Sequence, residues 1–177
     1  MKILETDRII LRPYQASDWE RVHLYGSLPD FAQYDSWGPN SEEDTKNFIQ
    51  DAINKKLKIP QFEFEYAVIE KKSNLLIGGC GIRRDGMNSS VANLGYAINP
   101  DFQGKGYATE CTNLLLKFGF NELKLLVIYA TCDTANVASF KVMEKCQMKK
   151  VGFYKDKRKF KNKISDEFRY EITNHEF

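Results

Sequence analysis

Apolar and polar positions along this chain switch between a period of two and a period near 3.6, and those switches divide it into strands and helices. Ile3 to Pro13 reads as a first strand. Ser17-Asp18-Trp19-Glu20 has the form of a capping box, in which Ser17 accepts the backbone N–H of Glu20 while the Glu20 side chain reaches back. A short helix is predicted next, with Trp19 and Val22 inward and His23 in solvent or at the core edge. Pro39, Asn40 and Ser41 open a second helix, because Glu42, Glu43 and Asp44 suit the positive end of a helix dipole. Its apolar stripe runs through Phe48, Ile49, Ala52, Ile53 and Leu57 and stops at Pro60. Between the two helices, Phe31, Tyr34 and Trp37 crowd a loop with Pro29, Gly38 and Pro39; they read equally as core anchors or as a lid over an acceptor site.

Phe62, Phe64, Tyr66 and Val68 alternate with Glu63, Glu65 and Ala67, the mark of a half-buried strand. Leu75 to Ile82 follows, and its Gly78, Gly79 and Gly81 predict a bulge or a close approach of backbone. Leu94, Tyr96 and Ile98 alternate with Gly95, Ala97 and Asn99 until Pro100 removes the donor that would continue the ladder. From Tyr107 the spacing becomes helical, with Ala108, Cys111, Leu115 and Phe118 at intervals of three and four. Leu125 to Thr131, apolar throughout, predicts a central strand buried on both faces. A short helix from Val137 to Lys145 precedes a final hairpin turning at Lys161-Asn162-Lys163, with Phe168, Tyr170 and Ile172 on one face. The order β-α-α-β-β-β-α-β-α-β-β predicts an α/β (α+β) chain with a mixed, mostly antiparallel sheet of about seven strands and helices on both faces. Without a linker or repeat, residues 1–177 read as one domain.

The segment Leu94 to Glu110 points to a chemistry. Gly104 and Gly106 flank Lys105 between a strand and a helix, where positive φ angles and unpartnered N–H groups together make an anion nest. A strand-turn-helix connection whose glycines only relieve strain is the plainer alternative. The spacing is not a Walker A loop, and Gly104-Lys105-Gly106-Tyr107-Ala108-Thr109 has Thr where a dinucleotide fingerprint needs its third glycine. A nicotinamide-nucleotide oxidoreductase built on Gly104 and Gly106 is therefore poorly supported.

Gln103-Gly104-Lys105-Gly106-Tyr107-Ala108 resembles the Q/R-x-x-G-x-G/A signature of the GNAT acetyltransferases. Thr6 to Pro13 resembles that family's opening strand, Asn136-Val137-Ala138-Ser139 its N-x-x-S element, and Asp166 to Ile172 its closing D-x-x-x-Y strand. Together they are most similar to the RimJ/RimL-type branch, which transfers acetyl from acetyl-CoA to an amine. The resemblance implies a twisted sheet in which the strands ending near Asn99 and Thr131 splay apart to admit CoA. It implies that the pyrophosphate lies on the backbone from Gln103 through Gly104, Lys105, Gly106 and Tyr107 to Ala108, with Lys105 supplying its N–H. It places pantetheine beside Ala97 and Ile98, the Ile98 N–H on the thioester carbonyl, and Asn136 and Ser139 on the pantetheine arm with Ser139 nearest the sulfur. Read without the resemblance, Asn136 and Ser139 are equally a local helix cap.

The base is not evident. Many GNAT enzymes carry a carboxylate where this chain has Asn93, and a tyrosine near Met143; the family's helix-ending G-F or G-M is altered here, with Gln147 before Met148. Glu63, Glu65, Asp133 and Tyr34 remain as proton acceptors. An α-amino group, with a reference pKa near ~8 against ~10.4 for lysine, needs less help and is the favoured acceptor. The expected reaction is acetyl transfer from acetyl-CoA as cosubstrate to a primary amine, on a small molecule or a protein N-terminus, by direct attack; the competing expectation is a non-catalytic acyl-CoA-binding module of the same fold.

Composition narrows the picture further. With 42% hydrophobic and 28% charged residues and a net charge of +2, the chain has no global basic excess for nucleic acid. Lys155, Lys157, Arg158, Lys159, Lys161 and Lys163 form a local exception, read as a solvated hairpin or as a lure for anionic groups. Cys80, Cys111, Cys132 and Cys146 are scattered and only His23 and His175 could join them, so free thiols and no metal are expected. A charged start, Met1-Lys2-Ile3-Leu4-Glu5, and the lack of long apolar runs predict a cytoplasmic protein that does not meet a membrane. An exposed sheet edge would support a homodimer.

Overall fold

The first strand is in fact two. In a computed structural model describing residues 1–86, 88–160 and 163–177, β1 (Leu4–Glu5) and β2 (Ile9–Pro13) pair antiparallel, with Leu4 opposite Leu11. Thr6 closes the turn: its N–H donates to the Ile9 carbonyl at 3.0 Å, and its hydroxyl accepts from the N–H groups of Arg8 and Ile9 at 3.2 Å. The polar run Thr6-Asp7-Arg8 interrupts the apolar alternation, which is why the sheet has eight strands rather than seven.

Helix α1 (Trp19–Gly26) follows a 3-10 turn at Ala16–Asp18. The capping box forms two residues earlier than predicted, with Gln15 as its first residue and Asp18, in the part expected of Glu20, reaching back. The Asp18 carboxylate accepts the Gln15 N–H at 2.8 Å and both Arg12 guanidinium nitrogens at 2.7 Å. Helix α2 (Glu42–Leu57) opens as predicted, with Ser41 and Asp44 exchanging backbone-to-side-chain hydrogen bonds at 3.1 and 3.0 Å. Its buried stripe is narrower than the pattern suggested: Ile49 and Ala52 are enclosed, while Phe48 and Leu57 are 39% and 69% exposed. His23 sits at the core edge, its Nδ1 3.1 Å from the Thr45 hydroxyl.

Strands β3 (Glu63–Glu70), β4 (Leu75–Arg84) and β5 (Val91–Ile98) form an antiparallel meander. Helix α3 (Tyr107–Asn121) returns the chain to β6 (Val127–Asp133), which lies parallel to β5. After α4 (Val137–Lys145), β7 (Lys149–Phe160) and β8 (Lys163–Thr173) complete the sheet in the order β1-β2-β3-β4-β5-β6-β8-β7. Residues 161 and 162 of the expected hairpin turn lie outside the described residues. Strand β6 starts two residues later than predicted and is not buried on both faces. Ile128, Ala130 and Cys132 point into the core, whereas Tyr129 on the other face is covered by the Arg169 guanidinium at 3.8 Å.

Two cores flank the sheet. Phe64, Tyr66 and Val68 of β3 pack with Cys111, Leu115 and Phe118 of α3, while Ala67 and Ile69 pack on the other face with Val22, Tyr25, Ile49 and Ala52 of α1 and α2. Glu63 and Glu65 share the α1–α2 face with Ala67. The β4 glycines serve both predicted purposes. The β3–β4 register shifts between Val68 and Ile69, and a β-carbon on Gly79 or Gly81 would collide with the Tyr14 hydroxyl or the Glu65 carboxylate. Among the described residues no helix is long and apolar enough to cross a membrane, and no three His, Cys, Asp or Glu side chains are grouped to hold a metal.

Candidate functional site

The phosphate-loop reading can be followed atom by atom. The Asn99 side chain accepts the Asp101 N–H at 3.1 Å and starts a 3-10 turn at Pro100–Phe102. Gln103 then folds back, its amide donating to the Ile98 carbonyl at 2.8 Å, which fastens the strand end to the loop. Gly104 and Gly106 have φ of +74° and +86°, the left-handed region in which a β-carbon costs about 1–2 kcal/mol. No side chain caps α3 at Gly106, so the first-turn N–H groups are left for a ligand. The Lys105 ammonium turns away to the Asp101 carbonyl at 2.8 Å and lies 5.0 Å from the centre of the Phe102 ring; only its backbone faces the loop.

Arg8 braces this cradle from the opposite edge. Its Nη1 donates to the Lys105 carbonyl at 3.1 Å, its Nε donates to Glu110 at 2.8 Å, and its guanidinium lies 4.7 Å over the Tyr107 ring. The sequence marked Arg8 only as part of a strand.

Between β5 and β6 the sheet opens. Parallel pairing covers Val91, Ala92 and Asn93 against Val127, Ile128 and Tyr129, and no pairing continues beyond them. The Asn99 N–H donates to the Ile77 carbonyl of β4 at 2.8 Å, so by the alternation of an extended strand the Ile98 N–H points to the opposite, splayed edge. Ala97, Ile98, Gln103, Gly104, Gly106, Tyr107, Ala108, Asn136 and Ser139 all line the resulting cleft of ≈1430 Å³. That volume exceeds the roughly 300–1,000 Å³ of a single small-ligand site and leaves room for two substrates. Lys105 is the one expected cofactor residue outside the lining.

At the mouth of α4 the Asn136 side chain accepts the Ser139 N–H at 3.1 Å, the local cap that the bare sequence allowed. The Tyr96 hydroxyl donates to the Ser139 carbonyl at 2.9 Å and lies 3.2 Å from its Oγ. Burial pushes the Tyr96 phenol upward, with the Ser139 contact opposing, so it stays a proton donor. Burial likewise pushes the Cys132 thiol of the cleft up to about 11, which keeps it from acting as a thiolate nucleophile.

The four proton-acceptor candidates separate sharply. Asp133 is buried; burial alone would raise its carboxyl, but hydrogen bonds from Ser165 (2.6 Å) and the Ala135 N–H (2.8 Å), with the charges of Lys163 and Arg158, hold it below its ordinary value. It is too weak a base to hold a proton near neutrality. Glu63 lies outside the cleft, paired with Lys55 at 3.0 Å and Arg83 at 3.2 Å. Tyr34 lines the cleft, and its carbonyl accepts from Arg158 at 2.8 Å. Glu65 lines the cleft with looser partners, Arg83 at 3.6 Å and Lys55 at 3.9 Å. Burial raises its carboxyl above its ordinary value; Lys55 and Arg83 oppose this, while Glu63 and Asp51 add to it.

Asn93 lies in the cleft with its amide 3.5 Å from the Tyr129 carbonyl, and Met143 lies buried in the cleft wall. Gln147 adopts φ +62°, so the chain makes the left-handed turn that glycine usually serves. Phe31, Tyr34 and Trp37 unite the two readings of their loop: all line the cleft, and Phe31 also packs on the α1–α2 core. The basic hairpin is mostly solvated, with Lys155, Lys157 and Lys159 exposed. A register shift between Tyr154 and Arg158 turns Arg158 inward to Glu167 at 3.2 Å and Asp35 at 3.9 Å. Tyr14 and Tyr25 also line the cleft and were not anticipated, because single aromatics after Pro13 and inside α1 look like core.

Residues 8–149 match the family described as the acetyltransferase (GNAT) domain. The chain is 32% identical over 174 residues to the uncharacterized N-acetyltransferase YnaD of Bacillus subtilis, covering 98% of each. It is similar to the crystal structure of a GNAT-family acetyltransferase from Bacillus anthracis, with a TM-score of 0.88 and 32% identity over 99% of this chain and 100% of that one. It also shares the fold of RimL, the ribosomal L7/L12 α-N-protein acetyltransferase solved with coenzyme A, at a TM-score of 0.86 and 19% identity over 97% and 98% of the chains. The splayed strands, the uncapped glycine loop and these likenesses lead to one conclusion: the chain belongs to the GNAT family and is an acetyl-CoA-dependent N-acetyltransferase.

Proposed function

We propose that the protein moves acetyl from acetyl-CoA to a primary amine by direct attack, with both substrates in the one cleft. The observation that carries this reading is the opening of β5 from β6, which leads from the free edge of Ile98 to the uncapped start of α3 at Gly106. In this reading the amides from Gln103 to Ala108 hold the pyrophosphate. Pantetheine runs along Ala97 and Ile98, and the Ile98 N–H polarises the thioester carbonyl. The free amide nitrogen of Asn136 reaches the pantetheine arm, and Ser139, beside Tyr96, stands nearest the sulfur. RimL acts on a protein α-amino group; the element carried over here is the primary amine. The non-catalytic alternative rested on Asn93 and Met143, and Glu65 supplies a carboxylate in the cleft by another route.

Calorimetry with acetyl-CoA tests the reading directly, and the absence of binding at high micromolar concentration would sink it. Gly106→Val forces a branched side chain into left-handed backbone at the cradle and is expected to weaken acetyl-CoA binding at least about tenfold. Gly104→Ala, a milder change in the same loop, should weaken it less. Wild-type affinity in both variants would show that the phosphates lie elsewhere.

A further inference from the structure

The acceptor end of the cleft has a composition of its own. Phe48 meets Tyr14 edge to face at 5.4 Å, and Tyr25, Phe31 and Trp37 continue in the same manner at 5.0 and 5.7 Å. All five rings line the cleft, with Phe48 and Trp37 39% and 38% exposed at its rim. Tyr14 and Tyr25 are buried in the core beneath, so Phe31, Phe48 and Trp37 supply the accessible aromatic surface at this end. Carboxylates dominate this end: Glu65, Asp30, Asp35 and Asp44 line it against Arg83 and Arg158.

At the inner end of this aromatic wall, the register places Glu65 of β3 opposite Gly81 of β4, and Gly81 opposite Gly95 of β5. The Glu65 carboxylate lies across Gly81, in the space a β-carbon would fill, while nothing stands within 4 Å of where a β-carbon on Gly95 would be. Two adjacent strands, each about 4.8 Å from the next, thus offer bare backbone between Glu65 and the β5 edge that borders the splay. Any larger residue at either glycine would wall the carboxylate off from the cleft.

Resting on the acetyltransferase reading above, we propose that this is an acceptor subsite for small primary amines carried on an aromatic ring, and that Glu65 is the catalytic group that takes the amine's proton. The ring of the substrate lies among Tyr14, Phe48, Tyr25, Phe31 and Trp37, and its ammonium points inward to Glu65. The ammonium gives one proton to the Glu65 carboxylate. The freed nitrogen lone pair attacks the thioester carbonyl carbon, the C–S bond breaks with its electron pair on sulfur, and the second nitrogen proton leaves to the thiolate. CoA departs as the thiol, the amine as its acetamide, and Glu65 returns its proton to solvent.

The groups facing Glu65 are Lys55 and Asp51 of α2, Glu63 of β3, Arg83 of β4 and Tyr14 after β2, with Cys80 of β4 nearby on the opposite face of the sheet. Glu63 draws the two cations closer to itself than to Glu65, which leaves Glu65 ready to accept a proton. Burial, with Tyr25, Glu65, Cys80 and Asp18 adding to it, holds the Tyr14 phenol well above its ordinary value, so it stays a neutral donor beside the carboxylate.

The test uses wild-type protein, acetyl-CoA and a panel of phenethylamine, tyramine, tryptamine, putrescine, ethanolamine and a short peptide with a free N-terminal alanine. The ring-bearing amines are expected to have kcat/KM at least about tenfold above the others. Glu65→Gln is expected to lower kcat about 100-fold or more and to abolish the rise of rate with pH on the acid side, with acetyl-CoA affinity unchanged. Glu65→Asp, which keeps the charge, should recover part of the rate and the pH limb. Equal or better turnover of putrescine or the peptide would overturn the substrate class, and wild-type kcat in Glu65→Gln would overturn the role of Glu65. Both failures leave acetyl-CoA binding intact, whereas failure of the underlying acetyltransferase reading abolishes it.

Discussion

Glu63 and Glu65 stand two residues apart on one strand face, yet their surroundings assign them opposite tasks. Glu63 is closely paired with Lys55 and Arg83, while Glu65 meets the same cations at longer range and faces the cleft. The sequence exposed both as candidates but could not choose between them. The choice depends on Gly81 and Gly95, which are neighbours of Glu65 through strand register and not through chain position. Asp133 was eliminated in a similar way, because its donors Ser165 and Lys163 come from a strand that the sequence does not align with it. Its lowered carboxyl makes a pH prediction. A carboxylate whose folded pKa lies below its unfolded value stabilises the fold above the unfolded value, near ~3.9, and loses that contribution as pH falls through the folded one. Asp133→Asn is therefore expected to cost about 1–3 kcal/mol at pH 7. The gap from wild type should shrink as pH falls below about 3.9 in urea titrations, and a gap that stays constant from pH 7 to pH 3 would refute the assignment.

Among the elements, those with strong periodicity were legible and their ends were not. The α3 and α4 helices and the β5 strand stand where the spacing predicted them. The β1–β2 turn was hidden because Thr6-Asp7-Arg8 is too short an interruption to register against flanking isoleucines and leucines. The capping box moved from Ser17–Glu20 to Gln15–Asp18 because Arg12, a partner outside the box's own spacing, holds the Asp18 carboxylate. After α4, Gln147 holds a left-handed conformation without a glycine's freedom. Relief of about 1–2 kcal/mol of strain outweighs the roughly 0.5–1 kcal/mol that glycine loses in the unfolded chain. Gln147→Gly should therefore raise the thermal midpoint by about 2–4 °C. A lowered midpoint would mean that the Gln147 side chain contributes more than its backbone costs.

Across the whole molecule, the end of the cleft proposed for acetyl-CoA is held in place by contacts within the chain itself. Gln103 ties the loop to β5, and Arg8 ties it to the turn between β1 and β2. Binding that selects such a folded site stabilises by mass action, about 2.7 kcal/mol at a ligand concentration 100 times Kd. Saturating acetyl-CoA is thus expected to raise the melting midpoint by about 5–10 °C in a thermal-shift assay. A change within error would contradict a preformed site.

The end of the cleft proposed for the acceptor is assembled differently. Arg158 of β7 donates to the Tyr34 carbonyl in the loop between α1 and α2, joining two segments 124 positions apart in the chain. Both residues line the cleft, so the hairpin and the loop form one continuous piece of its wall. A change that loosens either segment therefore moves the other with it, and this guanidinium-to-carbonyl tie helps to set the width of the cleft at this end.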